Sequence, residues 1–218
     1  MSYGLKFINN SDAVTLDSEY ARLVVLESGT WDGFGQGVNV PFVRPVHTAE
    51  PPLIFVRPET ADIFYFCTLG AGPDGWYGFS FQGVRGVRTT GKWFSAAFSA
   101  VPTADYGMRL RDGNSKLLFD SATPAAQFTR TITSWQYLGA SHDSQGLTRL
   151  SWTAPFNLSS GDYMLLNNIA MDVAGLTSRQ GNMYAVWEYA LDRLVMQVVG
   201  VDISMTLYNP VVFAKPMS

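Results

Sequence analysis

Trp76-Tyr77-Gly78-Phe79-Ser80-Phe81 decides the fold class. From Trp76 on, the residues alternate at period two, with Tyr77, Phe79 and Phe81 on one face and Gly78 and Ser80 on the other. That is the pattern of a strand buried on one side. Working outward, Trp93-Phe94-Ser95-Ala96-Ala97-Phe98 continues it downstream. Upstream, Pro51-Pro52 introduces the apolar strand Leu53-Ile54-Phe55-Val56, which Arg57-Pro58 stops, and Ile63 to Leu69 forms another apolar run. Gly70-Ala71-Gly72-Pro73-Asp74-Gly75 then supplies turn chemistry between two strands.

Further strands are expected at Ala21–Leu26, Thr148–Thr153, Asp162–Leu166, Tyr184–Tyr189, Leu194–Val199, Ser204–Tyr208 and Val211–Ala214. Ala185 to Leu194 leaves a short helix open as well. Residues 28–41, rich in glycine and carrying Trp31 and Phe34, read as a long irregular loop. The expected class is therefore all-β, an antiparallel, jelly-roll-like sandwich.

The chain also echoes itself. Tyr3-Gly4-Leu5-Lys6-Phe7, a polar turn and Val14-Thr15-Leu16-Asp17-Ser18 form one hairpin pattern over 3–18. Tyr106-Gly107-Met108-Arg109-Leu110, the turn Arg111-Asp112-Gly113-Asn114 and Leu117-Leu118-Phe119-Asp120-Ser121 form the other over 106–121. The offset, Tyr3 to Tyr106, is 103 residues and holds without a gap. The aromatic-Gly start allows a close approach, and Asp-Ser closes the return strand with side-chain to backbone bonds. Residues 1–218 then form one sandwich unit with two tightly packed halves, the alternative being packed β domains over 1–103 and 104–218. No Ser- or Pro-rich linker near residue 103 separates them.

Charged residues make up 15% of the chain, against about 25% in an ordinary soluble domain. So sparse a charge suits a surface largely covered by partners. A net charge of −3 opposes a nucleic-acid partner, and the Arg85, Arg88 and Lys92 group is broken by glycines and Trp93. The N-terminus lacks a basic, then apolar, signal, and no run approaches the ~18 apolar residues of a membrane span. A protein made in a bacterial cytoplasm and remaining soluble is expected.

Chemistry finds little support. The Gly70–Gly75 stretch matches GxGxxG, but Pro73 removes a donor amide and a strand, not a helix, follows. His47 and His142 lack the spacing of a metal pair, and the lone Cys67, in an apolar run, reads as a buried thiol. Asp62, Glu188 and Asp192 sit near aromatics and are the carboxylates to weigh for glycoside hydrolysis. Glu188 reads first as a solvent-facing strand residue. No catalytic, metal or cofactor residue is assigned. Trp31, Phe34 and Trp76 are the candidate interface or ligand aromatics, with Trp31 expected to be exposed, whereas Trp93, Trp152 and Trp187 read as core.

The two Tyr-Gly hairpins, each ending in Leu/Phe-Asp-Ser, together with the proline-flanked strand from Pro52 to Arg57, resemble a group of small tailed-bacteriophage virion proteins. These are tail-tip, baseplate or fibre-associated components. The resemblance covers about a third of the chain. It implies a non-catalytic structural protein in the tail region, partnered by copies of itself in a trimer or ring and by other virion proteins, with loops able to touch a host-surface glycan. The alternatives are a carbohydrate-binding receptor module and a capsid decoration protein.

Overall fold

The computed structural model describes residues 6–8, 14–17, 22–34, 37–60, 64–65, 67–83, 87–99, 105–142, 148–155, 161–169, 172–174, 180–200 and 206–217. The first half contributes β1 (Lys6–Ile8), β2 (Val14–Asp17), β3 (Leu23–Phe34), β4 (Gly37–Val46) and β5 (Leu53–Pro58). It continues with β6 (Phe64–Tyr65), β7 (Cys67–Gly72), β8 (Gly75–Gln82) and β9 (Arg88–Phe98). The second half supplies β10 (Arg109–Arg111), β11 (Leu117–Asp120), β12 (Ala125–Ile132), β13 (Gln136–His142) and β14 (Thr148–Pro155). After these come β15 (Tyr163–Leu165), β16 (Asp172–Ala174), β17 (Gln180–Glu188), β18 (Arg193–Val199) and β19 (Val211–Met217). Helix is confined to the 3₁₀ turns Asn167–Ile169 and Tyr189–Leu191, among the described residues. The protein is all-β. The segment around Ala185–Leu194 is strand, 3₁₀ turn and strand rather than a helix. Ser204 and Asp62 lie outside the described residues.

The strands gather into several antiparallel sheets. Six of them close into a barrel in the order β12-β19-β15-β5-β9-β3, with every neighbour antiparallel. Closure leaves no open edge, a solution for β architecture distinct from the expected sandwich. Leu23, Phe55, Phe94, Ala96 and Ala214 form one apolar cluster on one face of these strands. Phe55 stacks on Phe94 (centroids 4.7 Å apart) and also meets Phe128 at 6.3 Å. Since β5 and β12 stand on opposite sides of the ring, that second contact crosses the lumen. The other face carries Ile54, Val56, Trp93, Met164 and Phe213 into a larger core shared with the flanking sheets. Fully burying one such side chain is worth about 1.5–3 kcal/mol.

One flanking sheet runs β4-β8-β7, the other β13-β14-β18-β17-β16, with β6 also on β17. Phe79 and Phe81 of β8 and Leu194 and Met196 of β18 point into the same core. The alternation expected from Trp76 to Phe81 is realised from Gly78 to Phe81; at Tyr77 the register shifts against both neighbouring strands, so Tyr77 is exposed and Trp76 packs on the core with Phe79 and Phe81. The Pro73–Asp74 turn joins β7 to β8, Gly72 opposite Gly75.

The sequence echo has a structural counterpart. In the first hairpin Lys6 faces Asp17, Phe7 faces Leu16, and the register shifts before Ile8. In the second, Arg109 faces Asp120, Leu110 faces Phe119, and the register shifts before Arg111. Each of these positions is displaced by 103 residues from its counterpart (6 to 109, 17 to 120, 8 to 111). The bulges of the following strands match too. β3 shifts register between Val25 and Glu27, β12 between Phe128 and Arg130, and Val25 and Phe128 each face an alanine, Ala96 and Ala214. Exchanging β3 with β12, β9 with β19 and β5 with β15 preserves every neighbour in the barrel, as a twofold axis across it requires. The strand order β4-β8-β7 likewise repeats as β14-β18-β17, and β13 has no counterpart among the described residues of the first half.

The expected loop over 28–41 is instead most of β3 and the start of β4. Gly29 and Gly33 do not break the strand, and the pairing of β3 with β9 sets glycines against indoles. Gly29 lies opposite Trp93, and Gly91 lies opposite Trp31. A Cβ on Gly29 would meet the Trp93 ring at 3.0 Å, and one on Gly91 would collide with the Trp31 ring. Each large ring therefore covers the bare backbone of the facing strand.

Candidate functional site

Trp31, expected at the surface, is 4% exposed. Its strand position turns it into the core, where it meets Phe81 edge-on at 5.3 Å and donates its indole N–H to Thr89 Oγ1 at 3.1 Å. Phe34 ends β3 opposite Arg88, and its side chain lies outside the described residues. Trp76 is half-buried, packs against the large core, and donates its indole N–H to the carbonyl of Thr48 at 3.1 Å. Trp31 and Trp76 are not brought together into one groove. Trp93, Trp152 and Trp187 are core residues, as expected.

Several acids serve structural pairs. Glu188 is bonded to Arg193 across the β17–β18 turn, and Asp32 to Arg88. That guanidinium holds the Asp32 carboxyl below its ordinary range. Asp120 is buried, accepting from Arg109 Nε at 2.8 Å and from the Ala122 amide at 2.8 Å. Asp192 is an exposed left-handed residue closing the 3₁₀ turn. Cys67 is buried on β7, and burial pushes its thiol up to about 12, so it stays protonated at neutral pH. Among the described residues no group of His, Cys, Asp and Glu is placed to hold a metal ion. No helix among them is long and apolar enough to cross a membrane.

Two surfaces carry unassigned chemistry. The first is the second hairpin. Gly107 adopts φ +144° so that its backbone can pass Ser121; a Cβ there would lie 2.5 Å from Ser121 Oγ. Ser121 Oγ accepts from the Met108 amide at 2.9 Å, and the Ser121 amide donates to the Met108 carbonyl at 2.9 Å. This tie turns Tyr106 outward, 91% exposed, with Met108 beside it. The Tyr-Gly and Asp-Ser ends of the motif thus lock each other, as their residue types implied.

The second surface is a cleft of about 680 Å³ between the loop at residues 47–52, the end of β9 and the second hairpin. Phe98, 62% exposed, stands in its wall with Glu50, His47 and Lys116 around it, over a floor that includes Leu53 and Ala97. Sequence alone gives no sign of this cleft: of its residues only His47 draws notice there, and then as a metal ligand. Phe98 continues the apolar strand 93–98 and looks like core by pattern. Its exposure follows from lying at the last position of β9, opposite Leu23 at the barrel rim.

The chain matches no protein-family model, no curated protein and no solved structure in the comparisons made with each.

Proposed function

We propose that this protein is a non-catalytic structural component of a tailed-phage virion, placed in the tail tip or baseplate or anchoring a tail fibre. The observation that carries the reading is the doubled Tyr-Gly…Asp-Ser hairpin. The second copy is built to hold a large, uncharged side chain, Tyr106, almost wholly in solvent. Tyr and Met at such positions are characteristic of interface cores rather than of free surfaces. Val43 (84% exposed) and Tyr208 (83%) add further uncharged bulk on the surface. Low overall charge lets neighbouring copies approach without repulsion. Copies of the same chain in a trimer or ring, and other virion proteins, are the partners on this reading, and carboxylates tied into ion pairs suit a mechanical role.

The test is antibody labelling of phage-like particles from the source culture, viewed by electron microscopy. Label at the distal end of the tail is the expected result. Label on the head would move the protein to capsid decoration, and a chain found only free in the lysate would overturn the structural reading. A Tyr106→Ser variant should fold normally yet be incorporated into particles several-fold less.

A further inference from the structure

We infer that the cleft beside Phe98 is a saccharide-binding site. Its wall is built before any ligand arrives. The loop at residues 47–52 is tied at three points: the Trp76 indole N–H to the Thr48 carbonyl at 3.1 Å, the Thr48 hydroxyl to the Glu50 carbonyl at 2.6 Å, and the Asn167 side-chain amide N–H to the Pro52 carbonyl at 2.9 Å. Asn167 Oδ1 also accepts from the Ile54 amide at 2.7 Å, which joins the loop to the barrel strand β5. Pro51 and Pro52 stiffen the same turn. A preformed wall spares the ligand the cost of ordering it.

The groups facing the space suit a hydroxyl-rich ligand. Phe98 offers a flat apolar face of the kind that packs on the C–H face of a sugar ring. Glu50 supplies acceptors, Lys116 donors and His47 one of each. None of these three side chains has a hydrogen-bond or ion-pair partner among the described residues. One lysine facing a glutamate is a poor match for a polyphosphate backbone, in a chain of net charge −3. An extended peptide would look for a sheet edge, and β9, whose end lines the cleft, is paired on both sides by β3 and β5. A volume of about 680 Å³ suits a ligand of a few rings. Trp76 serves from behind the wall as a positioning residue and does not face the ligand.

This site goes beyond the assembly role and does not depend on it. Its test uses the full chain on a printed array of bacterial lipopolysaccharide-derived and capsular oligosaccharides. Retention of at least one oligosaccharide is expected, falling tenfold or more in Phe98→Ala and also in Glu50→Gln. Leu191→Ala, at an exposed position on the 3₁₀ turn Tyr189–Leu191, should bind as the parent does. Both cleft variants replace partly or well exposed side chains, and matching thermal melts would establish that they fold. No retained oligosaccharide, or equal retention by Phe98→Ala, overturns the site. A chain that fails on the array but still labels the tail tip would lose this site and keep its structural role. One that binds glycan but labels no particle would do the reverse.

Discussion

Trp31 shows how a residue's neighbours across the sheet outweigh its neighbours along the chain. In sequence it stands among glycines; in space it lies over Gly91, against Phe81, with its indole N–H satisfied by buried Thr89. Truncating it removes a large buried ring and leaves the Thr89 hydroxyl without that donor. Trp31→Ala should therefore cost about 3–5 kcal/mol, the range for buried aromatic truncation. Urea denaturation followed by circular dichroism would measure this as a lower midpoint; an unchanged midpoint would place Trp31 outside the core. Gly91 is the reciprocal position, because any side chain there must displace the same ring.

At the scale of single elements, the second hairpin depends on one backbone conformation. Gly107 sits at φ +144°, a region other residues enter at a cost of about 1–3 kcal/mol, and its missing Cβ leaves room for Ser121 Oγ. Gly107→Ala should break the Ser121–Met108 tie and loosen the hairpin while the barrel stays intact. Faster hydrogen exchange at the Met108 amide, with protection at the barrel amide of Phe94 unchanged, is the expected signature; unchanged Met108 exchange would show that the tie is dispensable. Elements of this kind are readable in the sequence because their cues are local. The hairpin turns, the period-two alternation from Gly78 to Phe81 and the Pro73–Asp74 turn rest on residues close together in the chain. The strand over 28–34 is not readable in that way. Gly29 is explained by Trp93 lying across from it on β9, and Gly33 by Val38, and composition within one segment cannot show which side chain will lie opposite. Nor does pattern alone show that Phe98, identical in type to the buried Phe94, ends its strand at the barrel rim and lines a cleft. Trp76 stands out in the sequence as an aromatic beside a turn, but the partner that fixes its role, the Thr48 carbonyl, lies 28 residues away.

For the whole molecule, the repeat matters more than either hairpin. The barrel takes β3, β9 and β5 from one half and β12, β19 and β15 from the other, and a single large core runs under both flanking sheets. Neither half can keep its barrel strands fully paired if the other unfolds. Scanning calorimetry should accordingly record one cooperative transition, its calorimetric and van't Hoff enthalpies equal; two separated transitions would show that the halves melt independently. The joins between the halves are thin stretches of the ring. Among the described residues, β3 meets β12 at Val24 and Ala125, with one further bond from the Val25 amide to the Pro124 carbonyl. β5 meets β15 at Phe55 and Val56, opposite Leu165 and Met164. Elsewhere β3 runs beside β9 from Leu23 to Phe34 and β12 beside β19 from Ala125 to Ile132, whereas β15 meets β19 only at Tyr163 and Met164, opposite Ala214 and Phe213. Under tension such a ring has weak seams where β3 meets β12 and on both sides of β15. A load applied across them would part β3 from β12 and free β15 while the long β3–β9 and β12–β19 ladders hold.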